Sequence, residues 1–413
     1  SKRFDSTRPA GAASLTSLWL AKNLPQMTPT SVSHLDYLSV PVALGTRSYE
    51  ILIVTGQLAT WAQTLAAWIR RHPQFSVGSA AVGKALVVTD RHLAATHAAC
   101  AEESLKRVGW TTACVELEPG EQSKTLATAS RLYDALADVK ADRRTIVVAV
   151  GGGVIGDTAG FAAATYARGV PFVQIPTTLL AQVDSSVGGK VGVNHPRGKN
   201  LIGAFHQPLG VFIDTSTLAT LPDRDYRCGL AEVIKYGASL DGGFFDYLEA
   251  HVDSLNRRAP DVLRHVVARS CQLKAGIVEQ DEQEISGLRA LLNYGHTFAH
   301  AYESLLGYGT LLHGEAVAIG MVHASRLAER LGRIDSSITQ RQERLLQAAG
   351  LPTELPSPLL DVEAALDRMR LDKKSIGGKL RFVLPTSIGH VELVDSVPEA
   401  AVRSLLAEIS RPQ

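Results

Sequence analysis

The sequence predicts an α/β fold in two parts: an amino-terminal half built on a mostly parallel sheet, and a mainly α-helical carboxy-terminal half. Three observations carry this expectation. Short apolar runs such as residues 85–90 (ALVVTD) and 146–150 (IVVAV) lack polar alternation, the mark of strands buried on both faces. They alternate with alanine-rich helical stretches, which implies parallel pairing through right-handed crossovers. From about residue 221 onward the pattern turns to helix after helix.

Size and composition narrow the possibilities. At 413 residues and 45% hydrophobic content, the chain exceeds the usual size of a single core, so two domains are expected. Lys+Arg 42 against Asp+Glu 41 leaves no global basic field for nucleic acid or an acidic membrane. Cys100, Cys114, Cys228 and Cys271 lie far apart with no C-x-x-C spacing. That argues against a thiolate metal site or a disulfide framework and fits a reducing, cytoplasmic setting. No apolar run reaches the roughly 18 residues of a membrane span.

Residues 1–39 are rich in Ser, Thr, Ala and Pro with little periodicity, and are expected to be a flexible extension. Asp5 counts against a transit peptide there. Residues 40–56 read as two short strands joined by a glycine-containing turn, and residues 58–71 as a helix. The strand at 85–90 ends in Asp90, a carboxylate at the position where nucleotide-binding sheets receive ribose hydroxyls. A strand at 113–117 leads into EPGEQSKT, where Glu121 and Lys124 stand three apart; the plain alternative is a solvated ion pair. A helix at 126–140 returns the chain to the sheet.

Residues 145–208 organise the rest. The strand at 146–150 runs into Gly151, Gly152 and Gly153, and a helix at 157–167 follows, so its amino terminus faces a turn stripped of Cβ atoms. Unpaired N–H groups and the helix dipole make such a turn an anion site. Gly151, Gly153 and Gly156 also satisfy G-x-G-x-x-G in the strand, turn and helix context, a weak signal on its own. The segments Pro176-Thr177-Thr178, Asp184-Ser185-Ser186, Gly188-Gly189-Lys190 and Gly198-Lys199-Asn200 then make a polar, glycine-rich surface suited to a phosphorylated polar molecule.

Helices are expected at 226–236, 243–251, 259–279, 290–306, 315–331, 337–349 and 361–371, followed by a β-ribbon (KLRFVLP, HVELVD) and a closing helix at 397–409. The divisions are thus 1–39, 40–220 and 221–413, with the boundary near Leu221-Pro222. His296 and His300 lie four apart on one helical face, while Glu232 and His313 stand elsewhere in this half. Imidazoles and a carboxylate suit zinc, and three protein ligands leave a position open for substrate. Spacing alone favours both helical histidines as ligands, with Glu315 in reserve; a structural histidine pair is the commoner alternative. Arg168, Lys190, Lys199, Lys274 and Arg289, with Asn200 and Asn293, form a rich anion-binding set, and Lys235 shares the helical face of Glu232.

GGGVIGDTAGF, RGVPFVQIPTTLLAQVDSSVGGKVGVNHPRGKNLIGAF, GLAEVIKYG and LNYGHTFAHAYE, in this order, closely resemble the 3-dehydroquinate synthase family, from about residue 40 to the carboxy terminus. The resemblance implies an NAD-binding α/β domain and a helical metal-binding domain. It implies conversion of 3-deoxy-D-arabino-heptulosonate 7-phosphate to 3-dehydroquinate and phosphate, the second step of the shikimate pathway toward chorismate and the aromatic amino acids. In that chemistry NAD oxidises a ring alcohol, zinc or cobalt polarises its oxygen, and phosphate leaves by β-elimination, itself serving as the base. Reduction, ring opening and an intramolecular aldol closure follow.

Position by position, the resemblance assigns metal ligation to Glu232, His296 and His313. Catalysis and substrate contact fall on Asp184, Lys190, Lys199, Asn200, Lys235, Lys274, Arg289, Asn293, His300, Arg168 and Lys373, the last favoured over Lys374. The dinucleotide falls on Asp90, His92, Glu121, Lys124, Gly152, Gly153, Val154, Asp157, Thr177, Thr178, Asp184 and Lys190. Two departures stand out: His92 occupies a position where the family has Asn, and EQDEQEISGLRA (279–290) is about one residue longer than usual. A cytoplasmic homodimer is implied. The rival expectations are a sister sugar-phosphate cyclase, a polyol dehydrogenase of the glycerol dehydrogenase type, and a catalytically silent scaffold that retains the fold.

Overall fold

The computed structural model describes residues 28–32, 35–71, 75, 83–307, 309–356, 361–371 and 380–410. The amino-terminal strands are β1 (Thr28–Val32), β2 (Leu35–Val42), β3 (Tyr49–Val54), β4 (Lys84–Asp90), β5 (Thr111–Leu117), β6 (Ile146–Gly151), β7 (Phe172–Pro176), β8 (Lys190–His195), β9 (Gly198–Phe205) and β10 (Gly210–Asp214). Eight of them form one sheet in the order β1-β2-β3-β10-β7-β6-β4-β5. Every pairing from β3 across to β5 is parallel, whereas β1, β2 and β3 pair antiparallel at one edge.

That edge corrects the reading of residues 1–39 as an extension throughout. β1 and most of β2 fall inside that span, and Leu38 pairs with Ile53 and Val40 with Ile51. The alternation Leu38, Val40, Val42 places the latter two side chains fully in the core.

The central strands are apolar throughout because both faces are covered. Ala85 and Val87 pack toward α1 (Trp61–Arg71) and α2 (Ala99–Arg107), in a cluster with Trp61, Leu65 and Trp68. Leu86 and Val88 pack toward α3 (Leu126–Asp138) and α4 (Gly153–Thr165), with Leu132, Leu136 and Phe161. Each such aliphatic side chain, fully buried, contributes about 1.5–3 kcal/mol of hydrophobic stabilisation. β8 and β9 stand apart as an antiparallel ribbon against α4.

The carboxy-terminal half comprises α5 (Asp223–Leu240), α6 (Gly242–Asn256), α7 (Pro260–Gln280), α8 (His296–Leu306), α9 (His313–Arg330), α10 (Ser336–Ala348), α11 (Val362–Leu371), a ribbon of β11 (Phe382–Ser387) and β12 (His390–Val394), and α12 (Glu399–Ile409). Its core continues into the sheet: Ile51, Ile53, Val211 and Ile213 share one buried cluster with Tyr236, Phe245, Val266 and Val317. The two halves are thus fastened by apolar packing beneath the cleft between them. No described helix is long and apolar enough to cross a membrane.

Candidate active site

The parallel strands end on one side of the sheet, where crevices at the carboxyl ends of strands collect ligands. β6 ends at Gly151, and α4 begins with Gly152 as an N-cap that offers no side-chain acceptor to the helix's first N–H groups. The anion-ready turn expected from the glycines is therefore present, with the helix starting four residues earlier than the sequence suggested. Thr177 closes it by donating its N–H to Gly151 O at 3.0 Å, and Thr178 Oγ1 accepts from Ala181 N at 3.2 Å. Val154 is half-buried in the first turn of α4.

Asp90 ends β4 and accepts the His92 N–H at 2.9 Å, leaving the His92 ring exposed. Glu121 and Lys124 do not form the surface pair that their spacing allowed. Glu121 Oε1 accepts from Asn194 Nδ2 at 2.7 Å, whereas buried Lys124 donates to Asp157 Oδ2 and Asn200 Oδ1, each at 2.5 Å. Burial pushes the Asp157 carboxyl up, against the pull of Lys124.

A cleft of about 560 Å³ opens between the halves. The sheet side contributes Asp157, Asp184, Lys190 and Asn200; the helical side contributes Lys235, Lys274, Arg289, Asn293 and His296. Lys274 Nζ donates to Asp184 Oδ1 at 2.6 Å and to the Asp184 carbonyl at 2.7 Å, and Tyr236 Oη donates to Oδ1 at 2.6 Å. Burial alone would raise the Asp184 carboxyl, but Lys274 and then Lys235 hold it down at about 2. Lys190 projects from β8 to meet Glu284. Arg289 is buried, and its Nε has no hydrogen-bond partner among the described residues. An unsatisfied buried guanidinium N–H on a cleft wall is what an incoming oxyanion satisfies.

Beside the cleft lie Glu232, His296 and His313, each offering one ligand atom within 4.8 Å of the others. Two glycines make this possible. Gly295, at φ 80°, ends the 3-10 turn Leu288–Asn293 and lets α8 begin at His296 rather than near residue 290, because a Cβ there would meet Met321 N at 2.7 Å. Gly314 lets the first turn of α9 press against the Cys228 backbone of α5, one helical turn before Glu232, which carries His313 to that carboxylate.

Glu232 is fully buried, and its Oε1 has no hydrogen-bond partner among the described residues. His313 Nε2 lies 3.5 Å from that oxygen and His296 Nε2 3.7 Å. A buried carboxylate oxygen faced by two imidazole nitrogens, with nothing donating to it, suits a divalent cation. Lys235 also meets Glu232 and, despite burial, keeps its carboxyl well below the usual range. Burial lowers His296 to about 3. For His313 burial opposes the charge, but Glu232 and Glu303 on its two ring nitrogens outweigh it and raise it to about 10.

Of the two helical histidines that spacing alone favoured as ligands, only His296 is gathered with Glu232 and His313. The His300 ring stacks against the cluster with its centroid 6.5 Å from that of His313, as a neighbour rather than a member. Glu315 is engaged elsewhere, accepting from Arg224 Nε at 2.7 Å and from Leu312 N at 2.8 Å.

Lys199 reaches from β9 to Glu303, 3.7 Å away. Arg168 is exposed just beyond the carboxyl end of α4, a 13-residue helix and so about 20 Å from the glycine turn. The cleft of this chain does not include it. Lys373 and Lys374 lie outside the described residues. Three side chains of the site were not anticipated: Glu284 facing Lys190, Tyr236 holding Asp184, and Glu303 behind His313. Tyr236 and Glu303 carried a legible signal, being one helical turn from Glu232 and from His300 respectively.

The chain is similar in sequence and fold to known proteins. Residues 114–228 match the family described as 3-dehydroquinate synthase N-terminal, and residues 229–375 the one described as 3-dehydroquinate synthase C-terminal. The chain is 51% identical over 370 residues to a 3-dehydroquinate synthase of Desulforamulus reducens, covering 90% of this chain and 99% of that one. It is 48% identical over 375 residues to a 3-dehydroquinate synthase of a Synechococcus species, covering 90% and 99%. Among solved structures, 2-deoxy-scyllo-inosose synthase with carbaglucose-6-phosphate, NAD+ and Co2+ superposes with a TM-score of 0.79 at 25% identity, covering 90% and 99%. A 2-epi-5-epi-valiolone synthase from Streptomyces hygroscopicus subsp. jinggangensis with NAD+ and Zn2+ gives 0.77 at 28%, covering 89% and 98%.

Proposed function

The chain belongs to the 3-dehydroquinate synthase family, and we propose that it converts 3-deoxy-D-arabino-heptulosonate 7-phosphate to 3-dehydroquinate and inorganic phosphate. Residues 40–220 are read as the NAD-binding domain and residues 221–413 as the metal- and substrate-binding domain. The enzyme is a carbon–oxygen lyase that depends on NAD and a divalent metal, zinc or cobalt. The observation that carries the reading is the Glu232 Oε1 left without a hydrogen-bond partner among the described residues, faced by the His296 and His313 nitrogens and set beside a cleft walled by lysines and an arginine.

When bound, the dinucleotide and the metal together supply the reversible oxidation of a ring alcohol that acidifies the neighbouring carbon and is undone after phosphate has left. Glu232, His296 and His313 would hold the metal. Gly152, Gly153 and Val154 at the start of α4, with Asp90, His92, Glu121, Thr177 and Thr178 at the strand ends, would hold the dinucleotide. Asp184, kept ionised by Lys274 and Lys235 and held in place by Tyr236, can accept a substrate hydroxyl at a fixed place. Arg289, with its free Nε–H, and Lys190, Lys199 and Asn293 would draw the phosphate into one orientation, so that its own oxygen can take the proton released during elimination. The chain's work is therefore orientation and charge stabilisation more than acid–base exchange. Asn200 and Lys235 border the same space, and His300 stands next to the metal cluster. The reading extends to a cytoplasmic homodimer.

Phosphate release from the heptulosonate phosphate tests this. It should fall to background after chelation, return with added Zn2+ or Co2+, and be lost in Glu232→Gln. Full activity in metal-stripped protein would overturn the reading.

A further inference from the structure

We propose that Glu303 is the positioning residue for His313: its carboxylate takes the Nδ1 proton of His313 in a hydrogen bond and so presents Nε2 to the metal. The inference rests on the metal reading above. His313 has a carboxylate at each ring nitrogen, with Glu232 Oε1 3.5 Å from Nε2 and Glu303 Oε2 3.5 Å from Nδ1. Without a metal both ring nitrogens face acceptors; once Nε2 gives its lone pair to a cation in the cluster, the remaining ring proton must sit on Nδ1, where Glu303, an acceptor only, takes it.

His296 reaches the same state by another route. Its Nδ1 lies 3.2 Å from the Tyr294 carbonyl oxygen, and its Nε2 faces the same Glu232 Oε1 at 3.7 Å. The two Nε2 atoms converge on one buried oxygen only if both outer contacts hold. For His296 the outer partner is backbone and immovable. For His313 it is a side chain, and the structure fixes that side chain as well. Glu303 is 11% exposed, and its other oxygen lies 3.7 Å from Lys199 Nζ of β9, across the cleft. Outer-sphere partners of this kind set the tautomer and ring angle of a ligating histidine.

The test uses metal-stripped Glu303→Gln and Glu303→Ala beside the parent, with Zn2+ and Co2+ affinities measured by competition with a chromophoric chelator and the visible Co2+ spectrum recorded. Removing such a partner typically weakens metal binding by about 10–100-fold. We expect a loss in that range for Glu303→Ala, a smaller loss for Glu303→Gln, and an altered Co2+ spectrum in both, with parent-like far-ultraviolet circular dichroism. A Glu303→Gln protein with a parent-like spectrum and an affinity within about twofold of the parent overturns the inference while leaving the metal site standing. A parent that binds neither ion, or a Glu232→Gln variant that binds as the parent does, overturns the metal reading and the inference with it. Should Glu303→Ala fail to fold, Glu303→Gln, of equal size, carries the test.

Discussion

Replacing Lys274 by Met removes the ammonium that meets Asp184 at both its carboxylate, 2.6 Å, and its carbonyl, 2.7 Å. The Asp184 carboxyl stands at about 2 against an ordinary value of 3.8, with Lys274 the largest influence opposing burial. A depression of that size corresponds to roughly 2 kcal/mol of folding stability at neutral pH. Because the folded value is the lower one, the contribution is complete above about pH 3.8 and is lost as pH falls through about 2. Breaking a fully buried pair by deleting one partner costs about 3–5 kcal/mol, and this pair is only partly buried, at 12% and 29% exposed. Asp184 keeps the Tyr236 hydroxyl at 2.6 Å, so the cost should sit at or below the lower end. We therefore expect Lys274→Met to lose about 2–3 kcal/mol in urea melts of the metal-free protein at pH 7. A double-mutant cycle with Asp184→Asn should give a coupling near 2 kcal/mol that drops by roughly half at pH 3. A coupling below about 0.5 kcal/mol at pH 7, or one unchanged between pH 7 and pH 3, would refute the electrostatic account of this pair.

The other expectations concern packing and turnover. A Cβ at Gly160 of α4 would overlap Val191 of β8 and approach Phe172 Cε2 to 3.2 Å, so Gly160→Ala should cost about 1–3 kcal/mol, and adding Val191→Ala should restore part of it in thermal melts. Lys190→Ala should behave oppositely. Its pair with Glu284 is 50% and 32% exposed, which limits the stability loss to about 1 kcal/mol, while phosphate release should fall by on the order of 100-fold or more; parent-like turnover would remove Lys190 from the site.

Much of this was legible in the chain. The strands β3, β4 and β6 carry hydrophobic character that requires no knowledge of partners, since both faces of the sheet are covered there, whereas β5 at the edge is buried only at Leu117. The glycine turn and the start of α4 follow from local backbone chemistry. The first edge strands were missed because Thr28–Val32 reads TPTSV, a loop composition, and β1 is defined by pairing with β2 rather than by burial of its own pattern. The metal cluster shows the complementary limit. The local signal, His296 and His300 one turn apart, pointed to a histidine other than the one gathered with Glu232 and His296, because the arrangement is decided by where α9 crosses α5, a contact set by Gly314 and Cys228 far apart in sequence. Lys124 is similar: three residues from Glu121, it is turned instead toward Asp157 and Asn200 by the β8–β9 ribbon. Arg168 matched a motif, yet the length of α4 carries it away from the cleft.

The most direct measurement follows phosphate and NADH together in one reaction of the purified protein with the heptulosonate phosphate, with and without NAD+. The account predicts phosphate release that requires NAD+, with a carbocyclic product in equal amount and no build-up of NADH absorbance, since the oxidation is undone within each turnover. NADH accumulating in step with substrate consumption, or no phosphate release from protein shown to hold metal and NAD+, would contradict it.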